Sequence, residues 1–407
     1  MKKINNSLLV ILSVMFFLTS CNKELETFAP IAKPVYPTGT TLGATIAANP
    51  NDSLFNRLLI RSGLSSLFVD STRTFTLFAV DNAGMKVFVN AASGGAVPLV
   101  APDATFSAFI ANSLPAASAA GIVQYNTIGG KYPASAIPTT FPNYPLPTQI
   151  ILDPTQPFVR MTTFPSKRAV YAYVNNIPLT AVDQVASNGI IHHTFTIVAP
   201  PTATLKTMIA GESTLSYFRA AIARGDSGQV GLGRFDSLFN YGVTNMTVLA
   251  PNDAAMQPVL FGVIYSTLLS QGVPMATAFA QATALSASPS GFNLLPVATV
   301  RGIMAYHILA SNSSGSFIPS IRTFAANYST TPSFVKTLVN TGVAAHPGIS
   351  AQGFFTGPVA DSIKFTGLGT FPPGGAPYSA APAKTVAIDK HAVNGVYHII
   401  NSVLFPQ

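Results

Sequence analysis

The fold is decided by a stretch of sequence that occurs twice. Residues 247–256 read TVLAPNDAAM, and residues 76–85 read TLFAVDNAGM. Each copy opens with apolar and β-branched residues that favour a strand, and then reaches Asp or Asn, whose side-chain oxygens favour the start of a helix. The candidate cap residues are Asp81 with Asn82 in one copy and Asn252 with Asp253 in the other. The stretch therefore predicts, at two places, a strand that leads directly into a helix.

Two further segments recur in the same order. Residues 122–126 read IVQYN and residues 303–307 read IMAYH, while residues 188–192 read NGIIH and residues 394–398 read NGVYH. The spacing between the copies grows along the chain, as loop insertions in the second copy would produce. Because chance similarity would not keep the order, the sequence predicts an internal duplication.

The third segment predicts how each copy ends. Its Asn-Gly pair predicts a tight turn with a positive φ, and the apolar runs 190–198 and 396–405 then predict a closing strand. A histidine on such a strand is more often held by core hydrogen bonds than used as a ligand. The residues given a structural role here are Asn188, Gly189, His192, Asn394, Gly395 and His398.

These segments together resemble the motifs of the fasciclin family. Residues 247–254 resemble its first motif, residues 394–406 its second, and Tyr306-His307 matches the Tyr-His pair between them. The resemblance extends over about residues 41–200 and 201–407. It implies an α+β fold of two tandem fasciclin-like domains, each a β-sheet wedge or sandwich with packed helices.

The same resemblance implies where a partner binds. The family assigns adhesion to its Tyr-His region, and only the second copy keeps both residues, because Asn126 stands at the histidine position of the first. Tyr306 and His307 are therefore the expected binding residues. The expected function is adhesion to a glycan or to a surface protein.

The N-terminus has the layout of an export signal. Lys2 and Lys3 precede an apolar run at residues 8–18, which is too short to span a bilayer permanently. The following Leu-Thr-Ser-Cys at residues 18–21 resembles a bacterial lipobox. We therefore expect a signal peptide over residues 1–20, with a lipid on Cys21, the single cysteine of the chain.

Residues 21–40 predict a tether, because Pro30, Pro34 and Pro37 favour extended backbone. Residues 22–26, which read NKELE, resemble the export signal of Bacteroidetes surface lipoproteins. The expected location is the bacterial outer membrane with the domains facing outwards. A periplasmic or outer-membrane assembly component that acts by self-association is the alternative.

Composition favours a neutral binding surface. Charged residues make up only 9% of the chain, and the net charge of +8 arises from 22 basic against 14 acidic residues without any basic run. A nucleic-acid site would need clustered cations with stacking aromatics, so nucleic acid is excluded as a partner. Such a surface suits hydrogen-bonded contacts with glycans or proteins.

No motif in the chain points to catalysis or to a cofactor. Asp389, His391 and His398, or the adjacent His192-His193, could be read as metal ligands, but neither set has the spacing of a known zinc site. Glu212 is the only glutamate beyond the tether, and no Gly-x-Ser-x-Gly occurs. We expect no metal, no cofactor and no enzymatic activity, with a triad assembled from distant residues in a hydrolase as the second alternative.

Two helices and two irregular segments complete the expectations. Apolar spacing predicts a first helix in each copy, over residues 53–61 after an Asp52 cap and over residues 214–224. Residues 127–156 and 367–382 are rich in Pro, Gly and small residues, which predicts loops or irregular edges.

Overall fold

The computed structural model describes residues 38–139, 144–313, 316–369 and 382–406. Residues 38–407 form one compact unit, in which helices and strands occur in two copies of one arrangement. The α+β prediction is confirmed. The predicted signal peptide 1–20, Cys21 and most of the tether lie outside the described residues.

The first copy begins with helices and closes with strands. Its helices are α1 (Leu42–Ala48), α2 (Ser53–Ser62), α3 (Ser65–Val69), α4 (Asn82–Ala92), α5 (Asp103–Ala108) and α6 (Ala116–Tyr125). Its strands are β1 (Phe75–Val80), β2 (Thr127–Gly129), β3 (Leu146–Ile151), β4 (Arg160–Thr163), β5 (Pro165–Arg168), β6 (Tyr171–Val174), β7 (Ile177–Ala186) and β8 (Gly189–Thr194). The predicted junction is present, since β1 leads into α4 across Asp81.

The strands of the first copy form one curled sheet. Their order is β4-β3-β2-β1-β8-β7-β6-β5, with β1 and β8 parallel and the remaining neighbours antiparallel. β4 and β5 stand at opposite ends of this order, although only Phe164 separates them in the chain. The sheet therefore curls round on itself.

The second copy repeats this plan with insertions. Its helices are α7 (Leu205–Gly211), α8 (Ser216–Gly225), α9 (Phe235–Asn240), α10 (Asp253–Ser270), α11 (Met275–Ser286) and α12 (Val297–Tyr306). Its strands are β9 (Met246–Pro251), β10 (Ser311–Ser313), β11 (Ser316–Ile318), β12 (Ser333–Val335), β13 (Ile349–Thr356), β14 (Val359–Thr366), β15 (Ala383–Ala392) and β16 (Gly395–Ile400). The long hairpin of α10 and α11 has no counterpart of equal length in the first copy.

The second sheet is curled as well. Its order is β12-β13-β14-β15-β16-β9, and β16 lies parallel to β9. Single bridges from Val248 to Ile308 and from Leu309 to Thr337 join the two ends of that order. The parallel pair β9 and β16 is thus the counterpart of β1 and β8 in the first copy.

The central strands are buried on both faces. In β1, Leu77 packs with the helices while Phe78 belongs to a cluster that includes Met161 and Val174, from strands on the far side of the curl. In β9, Val248 and Leu249 divide between two clusters in the same way. Two-sided burial explains why these strands read as nearly continuous apolar runs.

Three expectations about local structure need correction. The helices predicted over residues 53–61 and 214–224 exist as α2 and α8, but each is the second helix, because α1 and α7 precede them. The segment 127–156, predicted to be irregular, contains β2 and β3. The closing strands end at Thr194 and Ile400, earlier than expected.

No single helix in the described part of the chain has the length and the hydropathy of a membrane span. Two successive helical segments, Asp103–Ser113 and Ala116–Tyr125, reach that length and hydropathy only when taken together, and the pair is bent by 106°.

Candidate functional site

The repeated asparagine before the closing strand fastens three parts of each copy. The Oδ1 atom of Asn188 accepts the N–H of Leu42 at 2.7 Å, and its Nδ2 atom donates to the carbonyls of Phe68 and Asp70, both at 3.0 Å. In the second copy, Asn394 accepts the N–H of Leu205 at 2.8 Å. It also donates to the carbonyl of Phe239, in the last turn of α9, and to that of Tyr241, directly after this helix. The role of this residue is therefore architectural, because it satisfies otherwise unpaired backbone groups at a helix start and in a loop.

The glycine that follows is required for a reason other than the expected one. Gly189 and Gly395 are absent from the residues with positive φ, so the prediction of a positive-φ turn is wrong. A Cβ atom on Gly395 would lie 2.6 Å from the carbonyl oxygen of Met246 and 2.5 Å from Cδ1 of Leu205. On Gly189 it would collide with the carbonyl oxygen of Phe75. Close approach of a helix and the neighbouring strand is what demands glycine here.

The two polar residues at each strand–helix junction have different roles. Asp81 and Asn252 are the N-caps, accepting the N–H groups of Gly84 at 2.8 Å and Ala255 at 3.0 Å. Asn82, expected to be a cap, instead accepts the N–H of Leu54 at 3.0 Å.

Asp253 takes the same position in the second copy. It accepts the N–H of Tyr217 at 2.8 Å and the hydroxyl of Ser216 at 2.7 Å. Asn82 thus links α4 to the start of α2, and Asp253 links α10 to the start of α8.

The two motif histidines are held identically inside the curled sheets. The N–H of Asp183 donates to Nδ1 of His192, whose Nε2 donates to the carbonyl of Tyr132 at 2.9 Å. Asp389 and His398 repeat the first of these contacts at 3.2 Å. Burial lowers the pKa of His398 to about 4, so the ring stays neutral at physiological pH. Groups of three or more His, Cys, Asp or Glu suited to a metal are not found among the described residues.

The expected binding residues lie in the core. The side chains of Tyr306 and His307 are both fully buried, so neither is exposed to a partner in this structure. The hydroxyl of Tyr306 donates to the carbonyl of Gly348 at 2.7 Å. Nδ1 of His307 donates to the carbonyl of Ile303 at 2.8 Å, and its Nε2 accepts the N–H of Leu404 at 3.0 Å.

The first copy shows that this histidine has a replaceable structural role. Asn126 donates to the carbonyl of Ile122 at 2.8 Å and accepts the N–H of Val198 at 3.4 Å. Those are the equivalents of the two bonds that His307 makes. Either side chain can therefore tie the helix end to the final segment of its copy, so the residue difference is no evidence about adhesion.

One buried acid–base pair was missed by sequence reasoning. Asp52, predicted to cap α2, makes no side-chain cap bond and instead lies 3.0 Å from Nε2 of His193. The pair borders an open polar cavity of about 470 Å³, beside Asp81 and Thr180.

The two copies pack together through a buried junction. The rings of Phe164 and Phe324 are 6.0 Å apart, and the guanidinium of Arg322 lies 4.8 Å from the centre of the Phe164 ring. The same guanidinium donates to Nε2 of His391 at 3.1 Å and to the carbonyl of Val393 at 2.9 Å. Burial lowers the pKa of Arg322 to about 10, which leaves it charged at neutral pH.

Polar contacts across the junction fix the relative orientation of the copies. Arg168 donates to the carbonyl of Gly357 at 3.0 Å and stacks 3.5 Å from the ring of Phe355. Nδ2 of Asn327 donates to the hydroxyl of Ser166 at 2.9 Å. These contacts hold the two curled sheets as one body.

A buried carboxyl completes the junction. Asp389 accepts the N–H of Ala325 at 2.7 Å, and Asn176 of the first copy also hydrogen-bonds to it. Burial raises the pKa of Asp389 to about 7. The junction therefore contains a carboxyl whose pKa lies well above the ordinary value of an aspartate.

The candidate binding site is a cleft where the copies meet. It has a volume of about 370 Å³ and draws its walls from both copies. The first copy contributes Pro145, Leu152, Phe158, Val159, Arg160, Met161 and Thr162, and the second Gly242, Val243, Thr244, Asn245, Ser320, Arg322 and Val393. Such a mixture of apolar surface and a few polar groups is typical of a ligand site between domains. No sequence pattern indicated it, because its walls come from separated parts of the chain.

The sequence matches no protein-family model, and no curated protein matches it either. Among solved structures, the chain is similar to a FAS1 domain pair from the insect cell adhesion molecule fasciclin I. The identity is 10% and the TM-score 0.30, over 87% of this chain and 96% of that one.

Proposed function

We propose that this protein is a lipid-anchored cell-surface binding protein that presents two fasciclin-like domains to a glycan or to a surface protein. The observation that carries the proposal is the cleft between the copies, whose walls are held in place by a buried junction. A preformed cleft favours binding because little conformational freedom is lost when a partner enters it.

The anchor belongs to the proposal and is supported by sequence. The charged start, the short apolar run and the Leu-Thr-Ser-Cys ending at Cys21 follow the order of a lipoprotein signal. The extended segment that follows would hold residues 38–407 away from the membrane. We place the protein on the outer face of the bacterial outer membrane.

We propose an adhesive surface that differs from the one that the motif resemblance implies. Tyr306 and His307 are buried, so a partner has no direct access to either side chain in this structure. We propose the inter-copy cleft in their place. Phe158 stands at its rim with 78% of its side chain exposed, which leaves a large apolar group available for contact.

Protease shaving of intact cells, followed by binding assays with the full-length protein, tests this proposal. We expect external protease to remove the protein, and we expect the purified protein to be retained on a glycan or matrix-protein array. A protein that is protected in intact cells and retained on neither array would contradict both the location and the binding function.

A second candidate function, assembly by self-association, is favoured by the α10–α11 hairpin. Residues 254–300 contain no Asp, Glu, Lys, Arg or His, and the exposed side chains there include Met275, Phe279 and Leu294. A large uncharged apolar surface is typical of a protein–protein contact. Chemical crosslinking in cells, with Phe279→Asp as the disrupting variant, tests it, and a strictly monomeric wild-type protein would exclude it.

A further inference from the structure

The inter-copy cleft carries a chemical signature that narrows the ligand class. We infer that this cleft binds an acidic saccharide, a sugar chain whose carboxylate or sulfate groups are attracted by the positive charge of the two arginines and contact Arg160, while its hydroxyls meet the amide and hydroxyl groups. The inference rests on the proposed binding function and adds the class of ligand.

Charge is the first argument. Arg160 and Arg322 line the cleft, one from each copy, and none of the described lining residues is acidic. Asp153 follows the lining residue Leu152 in the chain but is not itself part of the lining. A concave site lined by charge of one sign attracts the opposite charge, and the planar guanidinium group matches a carboxylate or a sulfate.

The position of the second arginine is fixed before any ligand arrives. His391, the carbonyl of Ala392 and the carbonyl of Val393 accept hydrogen bonds from Arg322 at 3.1, 3.3 and 2.9 Å, and its guanidinium stacks on Phe164. Because Arg322 is only 2% exposed, it contributes a fixed positive potential to the cleft and leaves direct contact with an anion to Arg160. Arg160 is held more loosely, by contacts of 3.3 and 3.4 Å with Thr148 and Gln149, and so can turn towards a ligand.

Hydrogen-bonding capacity is the second argument. The Oδ1 atom of Asn245 is buried and has no donor among the described residues, although it belongs to a residue that lines the cleft. A buried acceptor without a donor costs free energy, and a ligand hydroxyl would satisfy it. Thr162, Thr244 and Ser320 add hydroxyl side chains to the same walls. Sugar hydroxyls can both donate to and accept from such hydroxyl and amide groups.

An apolar platform at the rim is the third argument. Phe158 is 78% exposed and Val243 is 59% exposed, although both are apolar and line one cleft. The C–H face of a sugar ring packs well on an aromatic ring, because both surfaces are apolar while their edges stay solvated.

The fold itself argues against an acidic peptide as the occupant. A peptide that adds a strand to a sheet edge gains affinity from main-chain hydrogen bonds. The polar groups of this cleft are instead the side chains of Arg160, Thr162, Thr244, Asn245 and Ser320. The cleft therefore favours a ligand that is recognised by side chains.

Calorimetric titration of the full-length protein tests the inference. The probes are trigalacturonate, its neutral methyl ester, a sulfated galactose trisaccharide and hexaglutamate. We expect trigalacturonate or the sulfated sugar to bind at least about tenfold more tightly than the methyl ester, the effect of one charge-assisted hydrogen bond. The affinity is also expected to weaken with added salt. The two acidic sugars tell a carboxylate requirement from a sulfate requirement.

Matched variants locate the site. We expect Arg160→Gln and Phe158→Ala each to weaken acidic-sugar binding about tenfold. Arg57→Gln and Phe195→Ala, which alter an exposed arginine and a 59% exposed phenylalanine outside the cleft, are expected to leave the affinity within about twofold. Unchanged circular dichroism of all four variants shows that folding is not the cause.

The outcomes separate the inference from the proposed function. Equal affinity for the methyl ester and the acid, or acidic-sugar binding that both cleft variants leave intact, would overturn the inference while a glycan-binding function stands. Tighter binding of hexaglutamate than of either acidic sugar would also overturn it, in favour of a peptide. Failure of the protein to bind any glycan or protein on the arrays would instead remove the proposed function.

Discussion

Replacement of Gly395 by alanine should destabilise the protein strongly, although the change is one methyl group. The new Cβ atom would lie 2.6 Å from the carbonyl oxygen of Met246, on the parallel neighbour β9, and 2.5 Å from Cδ1 of Leu205 in α7. The leucine side chain can rotate, but the carbonyl belongs to the central ladder. Overpacking a core costs about 1–3 kcal/mol, and we expect about 3 kcal/mol here because backbone has to move.

A matched variant isolates this cause. Gly302 lies inside α12, has no atom within 4 Å of an added Cβ, and does not adopt a positive φ. Gly302→Ala should therefore stabilise the protein by about 0.5–1 kcal/mol through helix propensity. Urea unfolding followed by circular dichroism measures both changes. If the free energy of unfolding of Gly395→Ala lies within about 0.5 kcal/mol of the wild-type value, a difference typical of neutral surface changes, the close-approach explanation is wrong.

Three further predictions concern buried polar groups. Burial raises the pKa of Asp389 to about 7, whereas the carboxyl of the unfolded chain loses its proton near pH 4. Between about pH 4 and 7 the folded state therefore keeps a proton that the unfolded state has released. The free energy of unfolding consequently falls as the pH rises through this range. The stability of Asp389→Asn relative to wild type should accordingly rise by about 2–4 kcal/mol between pH 4 and 8, and a pH-independent difference in urea unfolding would contradict this. His307→Asn should lower the free energy of unfolding by about 1–2 kcal/mol and His307→Ala by roughly 3 kcal/mol, because Asn126 makes both equivalent hydrogen bonds in the first copy. Equal losses of stability for the two variants in thermal unfolding would refute this equivalence. Tyr306→Phe should lower the free energy of unfolding by about 1–2 kcal/mol, because it removes the hydrogen bond to Gly348. Its retention on glycan and protein arrays should not change. A folded variant that is no longer retained would show that Tyr306 contributes to adhesion.

The sequence by itself determined the class of fold and its duplication. A strand buried on both faces, followed by a capping Asp or Asn and a helix, is a local pattern, and it places β1 with α4 and β9 with α10 where they occur. These predictions succeeded because hydrophobic periodicity and helix capping depend on neighbours within a few residues. The caps were assigned to the right junction, although in the first copy Asp81 caps the helix and Asn82 does not.

Only the tertiary structure decided what the motif residues do. Gly395 looked like a turn residue because Asn-Gly favours turns, but its need for glycine arises from Met246 and Leu205, which are distant in sequence. Tyr306 lies at the end of a helix, and the sequence does not show that the curled sheet closes over it. The approach of separate elements is set by sheet curl and helix packing, which local patterns do not encode.

The cleft shows the same limit most clearly. Arg160 and Arg322 line one cavity, yet each looks like an isolated cation in the sequence. They come together because the sheet of the first copy curls through Phe164 and packs that residue against Phe324 of the second copy. The local sequence pattern predicted the duplication of the fold. The site between the copies depends instead on contacts between distant residues, and these contacts exist only once both sheets have closed.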